Sequence, residues 1–269
     1  MKLIDVGVNL MNSSFDRDRE ELIKNAAAAG VSPLIVSGSS VKNSQDAALY
    51  VSSYNAAKSD SLFSTAGLHP HDAKSFDETS IVYLRELCTG ENADFVKAIG
   101  ECGLDYNRDF SPRDIQRRCF VKQAELAAEL FLPLFLHERD AFADFSVIIS
   151  EHFKYVPAAL VHCFTGSGDE LEYYLSLGCY IGITGWICDE RRGKHLRELV
   201  KLIPSDRLLL ETDAPYLLPR DLGGKVKDKR NEPKYLPHIA ETVASCQGKD
   251  PMELANETYN NSKRFFGLL

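Results

Sequence analysis

The sequence predicts an α/β protein that folds as a TIM (β/α)8 barrel, a single domain over residues 1–269. Short apolar runs recur along the chain, with helix-compatible segments between them. Several runs are apolar at nearly every position, as a parallel sheet buried on both faces requires. Eight such units across about 250 residues suit a closed barrel better than an open sheet. The predicted strands cover residues 3–9, 33–38, 62–68, 95–101, 132–137, 158–163, 179–184 and 207–212.

Helix start and stop signals separate these strands. Ser111 is expected to cap a long helix over 113–131, because a serine before a proline is a common helix start. Ser167 and Glu170 have the spacing of a capping box, and Gly178 provides a left-handed stop. No glycine-rich phosphate-binding motif follows the first strand, which argues against a dinucleotide-binding fold.

The composition argues against a membrane-spanning protein, a secreted protein and a protein that coats nucleic acid non-specifically. A hydrophobic content of 44% supports a substantial core, and no apolar run approaches the ~18 residues that a membrane helix needs. The N-terminus lacks the apolar segment of a signal peptide. Seven cysteines without a Cys-x-x-Cys pair predict reduced thiols in a cytoplasmic protein. The net charge of -8 argues against broad, non-specific coating of nucleic acid.

Four ligand-type residues stand at the ends of predicted strands. Glu101, His137 and His162 end strands four, five and six, and Asp213 ends strand eight. A barrel gathers the carboxyl ends of its strands at one mouth, where such residues can share a metal ion. The constellation therefore predicts a metal-dependent hydrolase.

The donor set leaves the metal open. Two imidazoles and two carboxylates suit Mg, Mn or Zn, and Mg²⁺ would prefer more oxygen ligands and retained water. A cation held by three protein ligands lowers the pKa of a bound water towards ~7, which creates a nucleophile at neutral pH. Asp213 is the natural carboxylate to take the proton of that water.

Ordered motifs along essentially the whole chain resemble the TatD family of metal-dependent deoxyribonucleases, within the amidohydrolase-like barrels. The motifs lie at 5–10, 65–71, 98–105, 137–140, 162–166 and 211–216. The resemblance implies that Glu101, His137 and His162 are metal ligands and that Asp213 is the catalytic aspartate. It also implies 3′-to-5′ exonuclease action on DNA, preferentially single-stranded, in DNA repair or DNA fragmentation, with RNA as a second substrate.

The first strand departs from the wider family, whose members often carry Asp-x-His-x-His there for a second metal ion. Here Gly7 and Asn9 occupy the histidine positions, as in the TatD branch itself, and only Asp5 of the set remains. Asp5 is therefore expected to be at most a weak ligand of a second cation. Two alternatives remain open: the second cation binds together with substrate phosphate, or it does not bind.

Several cationic or aromatic residues are candidates for substrate contacts. The resemblance favours His69 as a phosphate or substrate contact, while Arg139, Arg191 and Arg192 follow predicted strands on the catalytic face. The segment 220–234 holds six Lys/Arg against three Asp/Glu. Trp186, the only tryptophan, is expected either to stack a base or to anchor its loop.

Three functions compete at this point. The leading hypothesis is a monomeric, Mg-dependent nuclease that binds no membrane. A metal-dependent carbonyl ester or amide hydrolase, such as a D-aminoacyl-tRNA deacylase, would use the same chemistry, but a small neutral amide gives no reason for basic loops. A non-catalytic scaffold barrel would have no need to gather costly polar groups.

Overall fold

The computed structural model describes residues 1–58, 62–223 and 229–268, and confirms the predicted barrel. Within those residues eight parallel strands pair in chain order, each with the next. The strands are β1 Leu3–Val8, β2 Val31–Val36, β3 Leu62–Ala66, β4 Val96–Asp105, β5 Leu134–Arg139, β6 Ala159–Val161, β7 Tyr180–Ile183 and β8 Leu208–Leu210.

Helices occupy the connections between strands and complete the outer layer. Ser167 and Glu170 form the predicted capping box, and Gly178 has the expected positive φ of 88°. The prediction for Ser111 was wrong: Pro112 is the N-cap, and the Ser111 hydroxyl instead accepts from the Lys74 amide. The α-helices are α1 Arg19–Ala28, α2 Val41–Ala57, α3 Glu78–Thr89, α4 Arg113–Leu130, α5 Phe142–His152, α6 Gly168–Ser176, α7 Lys194–Leu199, α8 Leu236–Gln247 and α9 Pro251–Phe266.

The barrel is closed between β1 and the segment that follows β8. Val8 and Ala214 form a parallel bridge, and the Asn9 amide donates to the Ala214 carbonyl at 2.8 Å. The Asp213 amide donates to the Gly7 carbonyl at 2.9 Å. Asp213 therefore lies on the seam where the two ends of the sheet meet.

Two apolar layers stabilise this arrangement. The larger packs the outer faces of the strands against the helices. In the other, two residues from β1 and one from each of six further strands meet, which places the cluster inside the barrel, and Phe265 and Phe266 of α9 pack against it. The interior is thus a packed core that supports the site at the opposite mouth.

None of the helices within the described residues is long and apolar enough to cross a membrane. All seven cysteines lie in the described ranges and are free.

Candidate metal centre

The predicted ligands reach one mouth of the barrel, but two of them are not at strand ends. Glu101 lies inside β4, which continues to Asp105, and His137 lies inside β5, which continues to Arg139. The two strands stay paired beyond the predicted ends, with Gly103 opposite His137. His162 follows the last residue of β6 directly, and Asp213 stands three residues beyond β8.

A single carboxylate oxygen, Oε1 of Glu101, is the centre of the cluster. It lies 3.1 Å from Nε2 of His69, 3.0 Å from Nδ1 of His137 and 2.8 Å from Nε2 of His162. The same nitrogens of His137 and His162 are 3.4 Å apart. Glu101, His137 and His162 thus bring one oxygen and two nitrogens to within 3.4 Å of one another, as side chains that share a small cation require.

Two of these imidazoles are supported from behind by a second carboxylate. The other ring nitrogen of His137 lies 3.3 Å from Oδ2 of Asp105, and the other ring nitrogen of His162 lies 3.2 Å from Oε2 of Glu211. A carboxylate behind a histidine orients the ring and fixes which nitrogen carries the proton, an arrangement typical of metal ligands.

His69 differs from the other two imidazoles. Its Nδ1 accepts a hydrogen bond from the His71 amide at 3.1 Å, so the proton of the neutral ring is on Nε2, which faces Glu101. Burial lowers the pKa of His69 to about 4, despite the opposing effect of Glu101, and the ring is neutral at pH 7. His69 therefore presents an N–H donor to the cluster, which suits a substrate contact better than a metal ligand.

Electrostatic interactions within the cluster shift the pKa values of Glu101 and His162 in opposite directions. Burial alone would raise the pKa of Glu101, but His162, His69 and His137 hold it well below its usual range. Burial alone would lower the pKa of His162, but Glu101 and Glu211 raise it well above its usual range. Glu101 is thus ionised at pH 7, as a ligand carboxylate must be.

Asp213 faces the same cavity from the seam of the barrel. Its Oδ1 accepts a hydrogen bond from Nδ2 of Asn9 at 2.8 Å, and its backbone adopts a left-handed φ of 54°. Burial, reinforced by Glu101 and Glu211, raises the pKa of Asp213 to about 7 although His162 opposes the shift. Aspartate tolerates this conformation better than most residues, and a backbone held there aims the side chain.

Two glycines leave room for Glu211. A Cβ added at Gly7 would lie 2.4 Å from Oε2 of Glu211, and one at Gly182 would lie 2.5 Å from Oε1. The space beside Gly7 is occupied by the carboxylate that supports His162, a role for the glycine that the sequence did not indicate.

Asp5 does not line the cavity. Its Oδ1 accepts from the backbone amides of Thr212 and Gly7, and its Oδ2 accepts from the Thr212 hydroxyl at 2.5 Å. Burial raises the pKa of Asp5 to about 8, against the effect of the Thr212 hydrogen bonds. These contacts hold β1 to the segment after β8 and leave the carboxylate turned away from the Glu101 cluster.

The predicted arginines are divided between two recesses. Arg139 lines the cavity of about 570 Å³ that contains Glu101, and its Nη1 donates to the Thr165 hydroxyl at 3.3 Å. Arg191 and Arg192 line a neighbouring recess. Lys225 and Lys227 of the basic segment lie outside the described residues.

Sequence reasoning missed the roles of Asp105, Glu211 and His71. Asp105 also lies 2.7 Å from Nε2 of His71, and these hydrogen bonds with His137 and His71 lower its pKa although burial opposes the shift. The missed signal was periodicity. Asp105 is four residues beyond Glu101, and Glu211 is two residues before Asp213. In an extended chain, an even spacing places two side chains on the same face.

A divalent cation fits this donor set. Glu101 offers an ionised oxygen, and His137 and His162 each direct one nitrogen towards it while the other nitrogen is paired with a carboxylate. Two imidazoles with oxygen donors suit Mn²⁺ and Zn²⁺ and are compatible with Mg²⁺, so the chemistry of the residues does not select one metal.

Comparisons with known proteins give matches over nearly the whole chain. The family model described as TatD-related DNase matches residues 4–267. A 3′-5′ ssDNA/RNA exonuclease TatD from Rahnella sp. is 48% identical over 266 residues, covering 99% of this chain and 98% of that protein. Crystal structures of a TatD homologue from Escherichia coli and of a TatD-family hydrolase from Entamoeba histolytica superpose with a TM-score of 0.89. Each is 27% identical, over 99% of this chain and 98% of its own.

Proposed function

Because this chain belongs to the TatD-related DNase family, we propose that it is a metal-dependent 3′-5′ exonuclease that hydrolyses phosphodiester bonds in single-stranded DNA and in RNA. The observation that carries the proposal is the convergence of three imidazoles on Oε1 of Glu101, with carboxylates behind His137 and His162.

Glu101, His137 and His162 would hold the cation, with Asp213 on the remaining side. When bound, the cation supplies an activated water and neutralises charge on the phosphoryl group. We propose Mg²⁺ as the native ion, with Mn²⁺ and Zn²⁺ as the alternatives, because the phosphate of a nucleic acid adds the oxygen ligands that Mg²⁺ prefers.

The protein residues then move one proton and bind one phosphate. Asp213 accepts the proton of the attacking water, and the hydrogen bond from Asn9 keeps its carboxylate aimed into the cavity. His69 and Arg139 line that cavity and donate to phosphate oxygens, which stabilises the charge that builds up during attack. Arg191 and Arg192, in the adjoining recess, would bind phosphates farther from the reaction.

The cavity wall supports a preference for single strands. Phe110 and Tyr216 line it and are 56% and 53% exposed, so their rings are available to stack unpaired bases. Bases inside a duplex are already stacked and paired, and reaching these rings would require the strand to separate.

We propose that the protein acts as a monomer in the cytoplasm. All proposed site residues come from one chain, so a monomer suffices. Asp5 would bind a second cation at most weakly, because its oxygens already accept from Thr212 and Gly7. DNA repair or DNA fragmentation in the cytoplasm is the proposed setting, and free cysteines fit a reducing compartment.

Oligonucleotides labelled at the 3′ or the 5′ end test this function. We expect the metal-stripped protein to be inactive, and added Mg²⁺, Mn²⁺ or Zn²⁺ to restore stepwise release of nucleotides from the 3′ end. A D-aminoacyl-tRNA, assayed alongside, should be hydrolysed far more slowly. Faster ester hydrolysis, or products from the 5′ end, would overturn the proposal.

A further inference from the structure

The cavity around Glu101 continues along the 3₁₀ turn at Gly185–Cys188. Arg139 and Thr165 line both this cavity and a second recess, and Trp186 and Arg192 line both that recess and a third. The third recess has a volume of about 850 Å³ among the described residues. The shared lining residues show that the three recesses are adjacent, and we call the two recesses beyond the cavity the side cleft. Such a shape suits an extended ligand.

Two arginines, Arg139 and Arg192, lie against the ring of Trp186. The Cζ atom of Arg139 lies 5.4 Å from the centroid of the Trp186 ring, and Cζ of Arg192 lies 4.4 Å from it. Packing on an aromatic ring uses the face of a guanidinium group and leaves its N–H donors in the plane. The indole can therefore fix the positions of both groups without using their hydrogen-bonding capacity.

Most hydrogen-bond donors of the Arg139 and Arg192 guanidinium groups have no partner among the described residues. Arg139 uses Nη1 for Thr165, and Arg192 uses Nε for Oδ2 of Asp189 at 3.0 Å. Neither guanidinium makes another hydrogen bond to any residue in the described part of the chain. Fixed guanidinium groups with free, coplanar donors are matched to phosphate oxygens.

Asp189 organises the far end of the side cleft. Oδ2 of its buried carboxylate accepts from Nε of Arg192 at 3.0 Å, and the same oxygen forms an ion pair with Arg220, whose Nε lies 3.0 Å away. Its other oxygen accepts from the Arg191 amide at 3.0 Å. Two guanidinium groups thus face one buried acid, so positive charge exceeds negative charge at this carboxylate.

We propose that Trp186 positions Arg139 at the edge of the catalytic cavity and Arg192 beyond it, and that Arg192 forms with the indole a phosphate-binding subsite for the strand outside the cavity. The proposal rests on the function proposed above and identifies the side cleft as the site of the nucleotides 5′ of the scissile bond. A 3′-terminal nucleotide in the cavity leaves only the 5′ part of the strand to enter the cleft. Trp186 is a positioning residue in this subsite, and the arginines bind the phosphates.

The spacing of the arginines agrees with neighbouring phosphates. Their Cζ atoms are at most 9.8 Å apart, the sum of the two distances to the ring centroid. A stacked strand advances ~3.4 Å per nucleotide, so phosphates about one to three nucleotides apart fall within reach of the pair.

Trp186 is also a direct probe of its own subsite, because it is the only tryptophan in the chain. Its fluorescence can be followed with Mg²⁺ present and a cleavage-resistant phosphorothioate strand, while anisotropy of a labelled strand reports binding independently. We expect a ten-nucleotide strand to change the emission and to protect the indole from acrylamide, and a dinucleotide to do neither. Binding of the decamer by anisotropy with no change in emission or protection would overturn the proposal.

Variants test the same subsite by kinetics. The quantity measured is the ratio of kcat/KM for a ten-nucleotide strand to kcat/KM for a dinucleotide. Trp186→Leu and Arg192→Gln should each lower this ratio about tenfold, the expected loss of a charged hydrogen bond. Each should flatten the salt dependence of log K by about 0.7 per lost phosphate contact. Trp186→Tyr keeps an aromatic face and should restore the ratio.

Arg207→Gln is the matched control, because Arg207 lies 5.3 Å from the centroid of the Tyr180 ring at the other end of the barrel. The substitution removes an arginine that packs on an aromatic ring and leaves the side cleft unchanged. The ratio of the two kcat/KM values should therefore stay at the wild-type value. A wild-type ratio and salt slope in both Arg192→Gln and folded Trp186→Leu would refute the subsite. Failure of the proposed function is distinct, since the wild-type protein would then cleave neither substrate.

Discussion

Glu211 and His162 form a buried pair in which Oε2 of the glutamate accepts a hydrogen bond from Nδ1 of the histidine at 3.2 Å. The second oxygen of Glu211 accepts from the Cys163 amide at 2.5 Å. One carboxylate therefore sets both the orientation of the ring and the course of the chain immediately after β6. Because the other nitrogen of His162 faces Glu101, Glu211 acts on the proposed metal centre without lining its cavity.

Glu211→Gln should weaken metal binding by ~10–100-fold, the usual effect of removing a carboxylate behind a histidine ligand. The amide keeps the size of the side chain but has one acceptor oxygen in place of two, so either His162 or Cys163 loses its partner. Titration calorimetry with Mn²⁺ measures the affinity. Glu170→Gln is the control, because glutamine also serves at this capping-box position. An unchanged affinity in Glu211→Gln would contradict the role of Glu211.

Glu101→Gln should abolish metal binding and turnover while the barrel stays folded. The substitution removes the oxygen on which three imidazoles converge and changes almost no volume. Metal content, melting temperature and nuclease activity are measured on protein free of host nucleases. Retained activity with bound metal would remove Glu101 from the proposed ligand set.

Asp213→Asn should lower kcat by ~10²–10⁴-fold, because an amide cannot accept a proton from water. Asn9 can still donate to the amide oxygen, so the side chain should keep its position. Single-turnover rates across a series of cation concentrations check this result. Full rescue by excess cation would show that Asp213 is needed for binding the metal and not for accepting the proton.

Asp5→Asn should make stability less dependent on pH. Burial raises the pKa of Asp5 from 3.8 to about 8 in the folded protein. A carboxyl group whose pKa is raised in the folded state contributes its full stabilisation of the folded protein below pH ~4. This contribution is lost as pH rises through about 8. The melting temperature of the wild type, relative to that of Asp5→Asn, should therefore fall between pH 5 and 9. A constant difference would show that Asp5 does not titrate in this way.

Gly7→Ala should lower both stability and metal affinity, because the new Cβ would lie 2.4 Å from the carboxylate that supports His162. Overpacking of this kind costs about 1–3 kcal/mol. Gly168→Ala is the comparison: its Cβ would meet only Leu199, at an ordinary 3.5 Å, in the first turn of α6. Equal effects of the two substitutions on metal affinity would exclude Glu211 as the cause.

The sequence predicted the barrel and the proposed ligands because both depend on local patterns, namely alternating apolar segments and polar residues that follow them. Strand length was less predictable. β4 continues past Glu101 with positive φ at Gly100 and Gly103, conformations that apolar periodicity does not reveal.

Support contacts were harder to predict than the ligands themselves. Asp105 and Glu211 act through partners 32 and 49 positions away, and periodicity along one strand does not specify which distant histidine each carboxylate supports. Arg191 and Arg192 are adjacent in sequence, yet only Arg192 packs on Trp186. The direction of a long side chain depends on tertiary contacts, which residue type alone does not specify.

The seam between β1 and the segment after β8 has a consequence for biosynthesis. Asn9 and Asp213 are separated by 204 positions, so the hydrogen bond that aims the proposed proton acceptor joins segments that are far apart along the polypeptide. A growing chain is translated through Glu101 and His137 well before it reaches Asp213. The messenger being read is itself a single-stranded nucleic acid. The nascent nuclease therefore cannot complete its proposed active site beside its own template until Asp213 has been translated.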